Sequence, residues 1–69
     1  MINVRYLWEL TCRYGVTHFD MVPSLYKEYL RVANENSSLC FVLLAWEPLS
    51  YKVVKKHFSK LSKVRLVNE

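Results

Sequence analysis

Leu39-Cys40-Phe41-Val42-Leu43-Leu44-Ala45 is an unbroken apolar run between the polar stretch Asn34-Glu35-Asn36-Ser37-Ser38 and the turn Trp46-Glu47-Pro48, and its reading decides the fold. A strand wetted on one side would alternate polar and apolar residues, whereas a continuous run suits a strand buried on both faces, as in parallel sheets. A buried helix is the competing reading. The run is short for a helix and is closed by Pro48, so the strand is preferred.

Upstream, Val16-Thr17-His18-Phe19-Asp20-Met21-Val22 is β-branched and aromatic without a helical stripe, and Pro23 interrupts any continuing ladder. It predicts a first strand. Before it, Asn3 can cap a helix with the stripe Val4, Leu7, Trp8, Thr11 and Tyr14, stopped by Gly15. After it, Ser24 can cap a second helix carrying Leu25, Tyr26, Tyr29, Leu30 and Ala33, which the polar run from Asn34 ends. Downstream of Pro48, Ser50 caps a third helix with Tyr51, Val54, Phe58 and Leu61 on one face, and Val64-Arg65-Leu66-Val67 follows as a third strand.

The expected architecture is therefore α/β, with helices over about 3–14, 24–34 and 50–61 and parallel strands over about 16–22, 39–45 and 63–68. Successive right-handed crossovers would build one small sheet with helices packed on it, a Rossmann-like piece of a larger subdomain. No repeat or linker divides residues 1–69, which read as a single unit. In open α/β sheets ligands sit beyond the carboxyl ends of the strands. That places attention on Met21 to Ser24, Ala45 to Leu49, and Asn68 to Glu69.

Composition bounds the function. With 69 residues, 52% of them hydrophobic and 23% charged, the chain has material for one core and none for a self-contained multidomain enzyme. Met1-Ile2-Asn3-Val4-Arg5 carries no basic segment leading into an apolar run, so no leader is expected and a cytoplasmic location is. No stretch is long enough for a membrane span. Cys12 and Cys40 read as reduced thiols packing like small hydrophobes rather than as a bridge.

Candidate chemistry is sparse. Gly15 is the single glycine and lies at a helix end, so no phosphate-cradling loop is present. His18, Asp20 and Ser24 lack the Gly-x-Ser-x-Gly turn of a nucleophile elbow, and Ser24 is better explained as a helix cap. His18, Asp20, Cys40 and His57 show no ligand-pair spacing, so no metal site and no catalytic residue is assigned. Lys52, Lys55, Lys56 and Lys60, followed by Lys63 and Arg65, account for most of the +4 balance and read first as a solvated face. A freestanding basic module for nucleic acid or an acidic partner is the alternative function, with His57 and Tyr51 as its sparse aromatic support. Uncovered sheet edges and Trp46 leave self-association as a further possibility.

At the strand ends the sequence resembles the middle of an amino-acid adenylation domain of nonribosomal peptide synthetases, in the adenylate-forming superfamily that includes acyl-CoA synthetases and luciferases. Val16 to Ser24 is similar to that family's Val-Thr strand ending in Pro-Ser. Leu43-Leu44-Ala45-Trp46-Glu47-Pro48-Leu49-Ser50 is similar to its Gly-Gly-Glu-Ala-Leu-Ser turn at Glu, Leu and Ser, and Val64 to Glu69 resembles the strand entering its Asn-x-Tyr-Gly-Pro-Thr-Glu motif.

The resemblance implies that Asp20, Leu43, Ala45 and Glu69 line an amino-acid side-chain pocket, that the Trp46-Glu47-Pro48 backbone runs along adenine, and that Asn68 hydrogen-bonds the adenine amino group. Trp46 stands where the family carries glycine. A parent domain would use ATP and Mg²⁺ and load its amino acid onto phosphopantetheine of a peptidyl carrier domain, a step of peptide antibiotic biosynthesis. The phosphate loop, the ribose-binding aspartate and the C-terminal lysine of the family have no counterpart here. The expectation is a fragment that needs the remainder of the adenylation domain as partner, binds no cofactor alone and is inert alone. The acidic Asp20 and Glu69 suggest a cationic or polar amino acid for the parent.

Overall fold

The computed structural model describes residues 3–35 and 37–69. Met1 and Ile2, part of the leader reading, and Asn36, part of the polar run, lie outside the described residues. Element order is α1 (Val4–Tyr14), β1 (His18–Met21), α2 (Pro23–Tyr29), β2 (Phe41–Leu44), α3 (Tyr51–Lys60) and β3 (Arg65–Asn68). The strands form one parallel sheet in the order β1-β2-β3. The α/β architecture is that expected from the sequence, with most elements trimmed at their ends.

Local chemistry sets several boundaries. The Asn3 side chain accepts the Arg5 and Tyr6 N–H groups, and Gly15 ends α1 in the left-handed region at φ 63°. Glycine adopts that conformation without a Cβ penalty. Ser50 caps α3 by accepting the Val53 N–H. Ser24, by contrast, is not the cap of α2: Val22 occupies that position and Pro23 opens the helix, where its missing N–H costs nothing. Nor does α2 run to residue 34. It ends at Tyr29 and relaxes into turns, with Arg31 N–H on Glu28 O and Val32 N–H on Tyr29 O. Ala33 stays buried, so the apolar stripe there records packing and not helix.

The core contains Met21, Val42 and Leu44 from the sheet, Tyr26, Tyr29 and Leu30 from α2 and its end, and Val53 and Leu61 from α3 and its end, with Val4, Leu7 and Trp8 of α1 packed against it. The ring of Tyr29 meets Trp8 and Phe19 edge-on, at centroid distances of 5.8 and 5.1 Å. Its hydroxyl donates to Thr11 Oγ1, which in turn donates to Leu7 O, both at 2.8 Å. Every buried side-chain polar atom among the described residues has such a partner.

The expectation that β2 is buried on both faces is overturned. Val42 and Leu44 are buried while Phe41 and Leu43 are only half-buried. All three helices contribute to the core on the Phe19, Met21, Val42, Leu44 and Leu66 side. The opposite face presents His18, Asp20, Phe41, Leu43, Arg65 and Val67, none of which joins the core. Consecutive right-handed crossovers in one direction put their helices on one side, which leaves the other bare.

Candidate functional site

Parallel register brings the carboxyl ends of the strands to one rim. Asp20 pairs with Leu43, and Leu43 with Val67; one step on, Met21 pairs with Leu44, and Leu44 with Asn68. The ladder continues past the strands, with Ala45 N–H on Met21 O at 3.4 Å and Glu69 N–H on Leu44 O at 2.9 Å. Asp20, Leu43, Ala45, Asn68 and Glu69 are thus neighbours at one end of the sheet. Asp20 and Leu43 lie on its bare face, Asp20 exposed and Leu43 half-buried. Ala45 is buried, and Asn68 and Glu69 are exposed.

The turn after β2 is built differently from a glycine turn. Trp46 has φ 71°, a left-handed conformation that side chains with a Cβ adopt at a cost, and the residue is exposed. Immediately after it, the Glu47 carboxylate reaches across to the start of α2. Oε1 accepts the Ser24 N–H at 2.9 Å and Oε2 accepts the Ser24 hydroxyl at 3.0 Å. Glu47 therefore ties the turn after β2 to the turn after β1. Pro48 is exposed beside this clasp, at a shallow groove lined by Pro23, Ser24, Lys27, Glu47, Pro48 and Val53.

The Glu47 to Ser24 clasp was not read from the sequence. Its signal was available: two adjacent parallel strands each end in a turn, and a carboxylate in one turn faces a helix start with no acidic residue in its own first turn.

Other candidates disperse. His57 is fully buried, so it offers nothing to a nucleic-acid surface. Its Nε2–H donates to Val64 O at 2.8 Å, and Nδ1 accepts the Tyr26 hydroxyl. Burial pushes the imidazole below the usual histidine range, outweighing the Val64 hydrogen bond. Burial likewise raises the Tyr26 and Tyr29 phenols. On the basic segment, Lys52 and Lys55 are exposed, but Lys60 is half-buried and donates to Leu30 O at 2.6 Å.

Cys12 and Cys40 are free thiols, and both are exposed instead of packed: Cys12 lies on the outer side of α1, and Cys40 precedes β2 with its thiol on Ser38 O at 3.3 Å. Among the described residues no group of three His, Cys, Asp or Glu is placed to hold a metal ion, and no helix is long and apolar enough to cross a membrane.

No protein-family model matches the sequence. The chain is similar to part of a linear gramicidin synthase of Brevibacillus parabrevis, with 32% identity over 66 residues that cover 91% of this chain. It spans about 1% of that protein's length. The chain is thus related in sequence to a short segment of a nonribosomal peptide synthetase.

Proposed function

We propose that the chain is the central piece of an amino-acid adenylation domain, supplying part of the amino-acid pocket and one edge of the adenine site. The observation that supports this most is the alignment of Asp20, Leu43 and the Asn68–Glu69 tip along one rim of a parallel sheet. In this reading Asp20, Leu43, Ala45 and Glu69 select the side chain of the amino acid. Asn68 offers its amide to the adenine edge, and the Trp46-Glu47-Pro48 backbone flanks the base.

These residues bind and orient; none of them transfers a proton or stabilises phosphate charge. ATP and Mg²⁺ would activate the amino acid, and phosphopantetheine on a carrier domain would accept it, through parts of the parent enzyme that this chain does not supply. The bulk and strained backbone of Trp46 weaken close approach to adenine.

The test has two arms. The purified chain should give no amino-acid-dependent pyrophosphate exchange, and clear turnover would overturn its assignment as an inert fragment. Substituted for the equivalent segment of an active adenylation domain, with Trp46→Gly included, it should shift the host's amino-acid preference toward cationic or polar side chains. A folded, active chimaera with the host's preference unchanged would overturn the pocket assignment.

A further inference from the structure

The Tyr26, His57 and Val64 cluster lies in the core, away from the rim, and joins three parts of the fold through one buried ring. His57 sits on α3, Tyr26 on α2, and Val64 in the short connection that leads into β3. We propose that His57 is a proton-controlled latch that holds the entry of β3 against α2 and releases that strand when its ring is protonated.

The geometry assigns the protons. Val64 O can only accept, so Nε2 carries the hydrogen, and the neutral ring then presents the Nδ1 lone pair to the Tyr26 hydroxyl. A second proton on Nδ1 removes that acceptor. The Tyr26 hydroxyl must then turn to accept from Nδ1–H, which takes its own hydrogen off the partner it had, and a positive charge is placed on a ring that is 0% exposed. Among the described residues no carboxylate packs on the ring to compensate it, and the Val64 carbonyl offsets only part of the burial. From α2 the titratable neighbours are the neutral phenols of Tyr26 and, stacked on it, Tyr29. From α3 comes the Phe58 ring, edge-on at 4.9 Å, while the Lys60 ammonium further along the helix is engaged on Leu30 O.

The core residues supplied by the sheet, Met21, Val42, Leu44 and Leu66, are all apolar. The carboxylate of Glu35 accepts the Ser62 N–H and hydroxyl beyond the end of α3, at an exposed position.

The consequence falls on β3 because the carbonyl that His57 holds lies in the connection entering that strand, which, like β1, is at an edge of the sheet. Its start is fixed by Val64 N–H on Leu61 O and Arg65 N–H on Cys40 O, adjacent to the carbonyl that His57 holds. Its far end carries Asn68 and Glu69. Proton uptake at a core histidine would therefore loosen one third of the rim while β1 and β2 stay paired.

The test is amide hydrogen exchange by NMR on the full chain between pH 7.5 and 5, with the His57 ring titrated in the same samples. Protection of the Arg65–Asn68 amides should fall by about tenfold per pH unit below about 6.5 until the folded ring titrates, while β1 and β2 amides keep their protection. In His57→Gln, whose neutral amide can still donate and accept, β3 protection should not vary with pH over this range. Constant β3 protection in the unmodified chain overturns the latch. So does a uniform fall across all three strands, a ring that titrates at or above the ordinary histidine value, or the same pH dependence in His57→Gln. The unmodified chain alone decides the matter if the variant fails to fold.

Discussion

The Glu47 carboxylate caps α2 from the turn that follows β2, taking the Ser24 N–H at 2.9 Å and the Ser24 hydroxyl at 3.0 Å. Helix starts leave N–H groups without intrahelical partners, and a side-chain acceptor there contributes about 1 kcal/mol. Glu47→Ala should therefore lower the stability of the chain by about 1 kcal/mol in urea denaturation, and Ser24→Ala by less, because the backbone N–H bond survives. The double variant should be no less stable than the sum of the singles predicts, with a measurable coupling. Strict additivity would mean that the bond between the Ser24 hydroxyl and Glu47 carries no energy.

Trp46 occupies a backbone conformation suited to glycine, at φ 71°, and the residue is 75% exposed. A left-handed residue with a Cβ costs roughly 1–2 kcal/mol, and the added freedom of glycine in the unfolded chain returns part of that. Trp46→Gly should raise the thermal midpoint, with a net gain of about 0.5–1 kcal/mol. A lower midpoint would show that the ring makes contacts worth more than the strain.

Leu43 and Leu44 are adjacent yet meet different surroundings, and their truncation should separate them. Leu44 is 0% exposed in the core, so Leu44→Ala should cost about 2–5 kcal/mol. Leu43 is half-buried on the bare face, and Leu43→Ala should cost about 1 kcal/mol or less. Equal losses by equilibrium denaturation would indicate that the Phe41, Leu43 and Val67 face is covered after all.

The apolar continuity of Leu39–Ala45 correctly gave a parallel strand but not its surroundings, because hydrophobicity records what a face prefers and not whether this chain supplies the cover. Asn3, Gly15 and Ser50 were legible as helix ends since each acts on residues within a few positions of itself. Both ends of α2 were misread for the opposite reason. Its first turn is satisfied by Glu47, 23 residues away, and its last by Lys60, 30 residues away. The rim was legible as far as parallel strands joined by crossovers end on the same side of one sheet. The engagement of Glu47 and the strain at Trp46 depend on three-dimensional placement that spacing along the chain does not encode.

Lys60 is the residue of the basic segment whose charge has a structural task. Its ammonium donates to Leu30 O at 2.6 Å, at the residue that closes α2, where a cation also meets the negative end of the helix dipole. Lys52 and Lys55 are exposed on the same helix, where solvent screening leaves a charge little to contribute. Lys60→Met, which keeps an apolar stem of similar length, should cost about 1 kcal/mol in urea denaturation, while Lys52→Met and Lys55→Met should each stay within about 0.5 kcal/mol. If all three variants unfold at the same urea concentration as the parent chain, the Leu30 carbonyl is as well served by water as by Lys60. In that case the basic face would be uniform, and the nucleic-acid reading would regain a full set of free lysines to be tried with RNA at low and high salt.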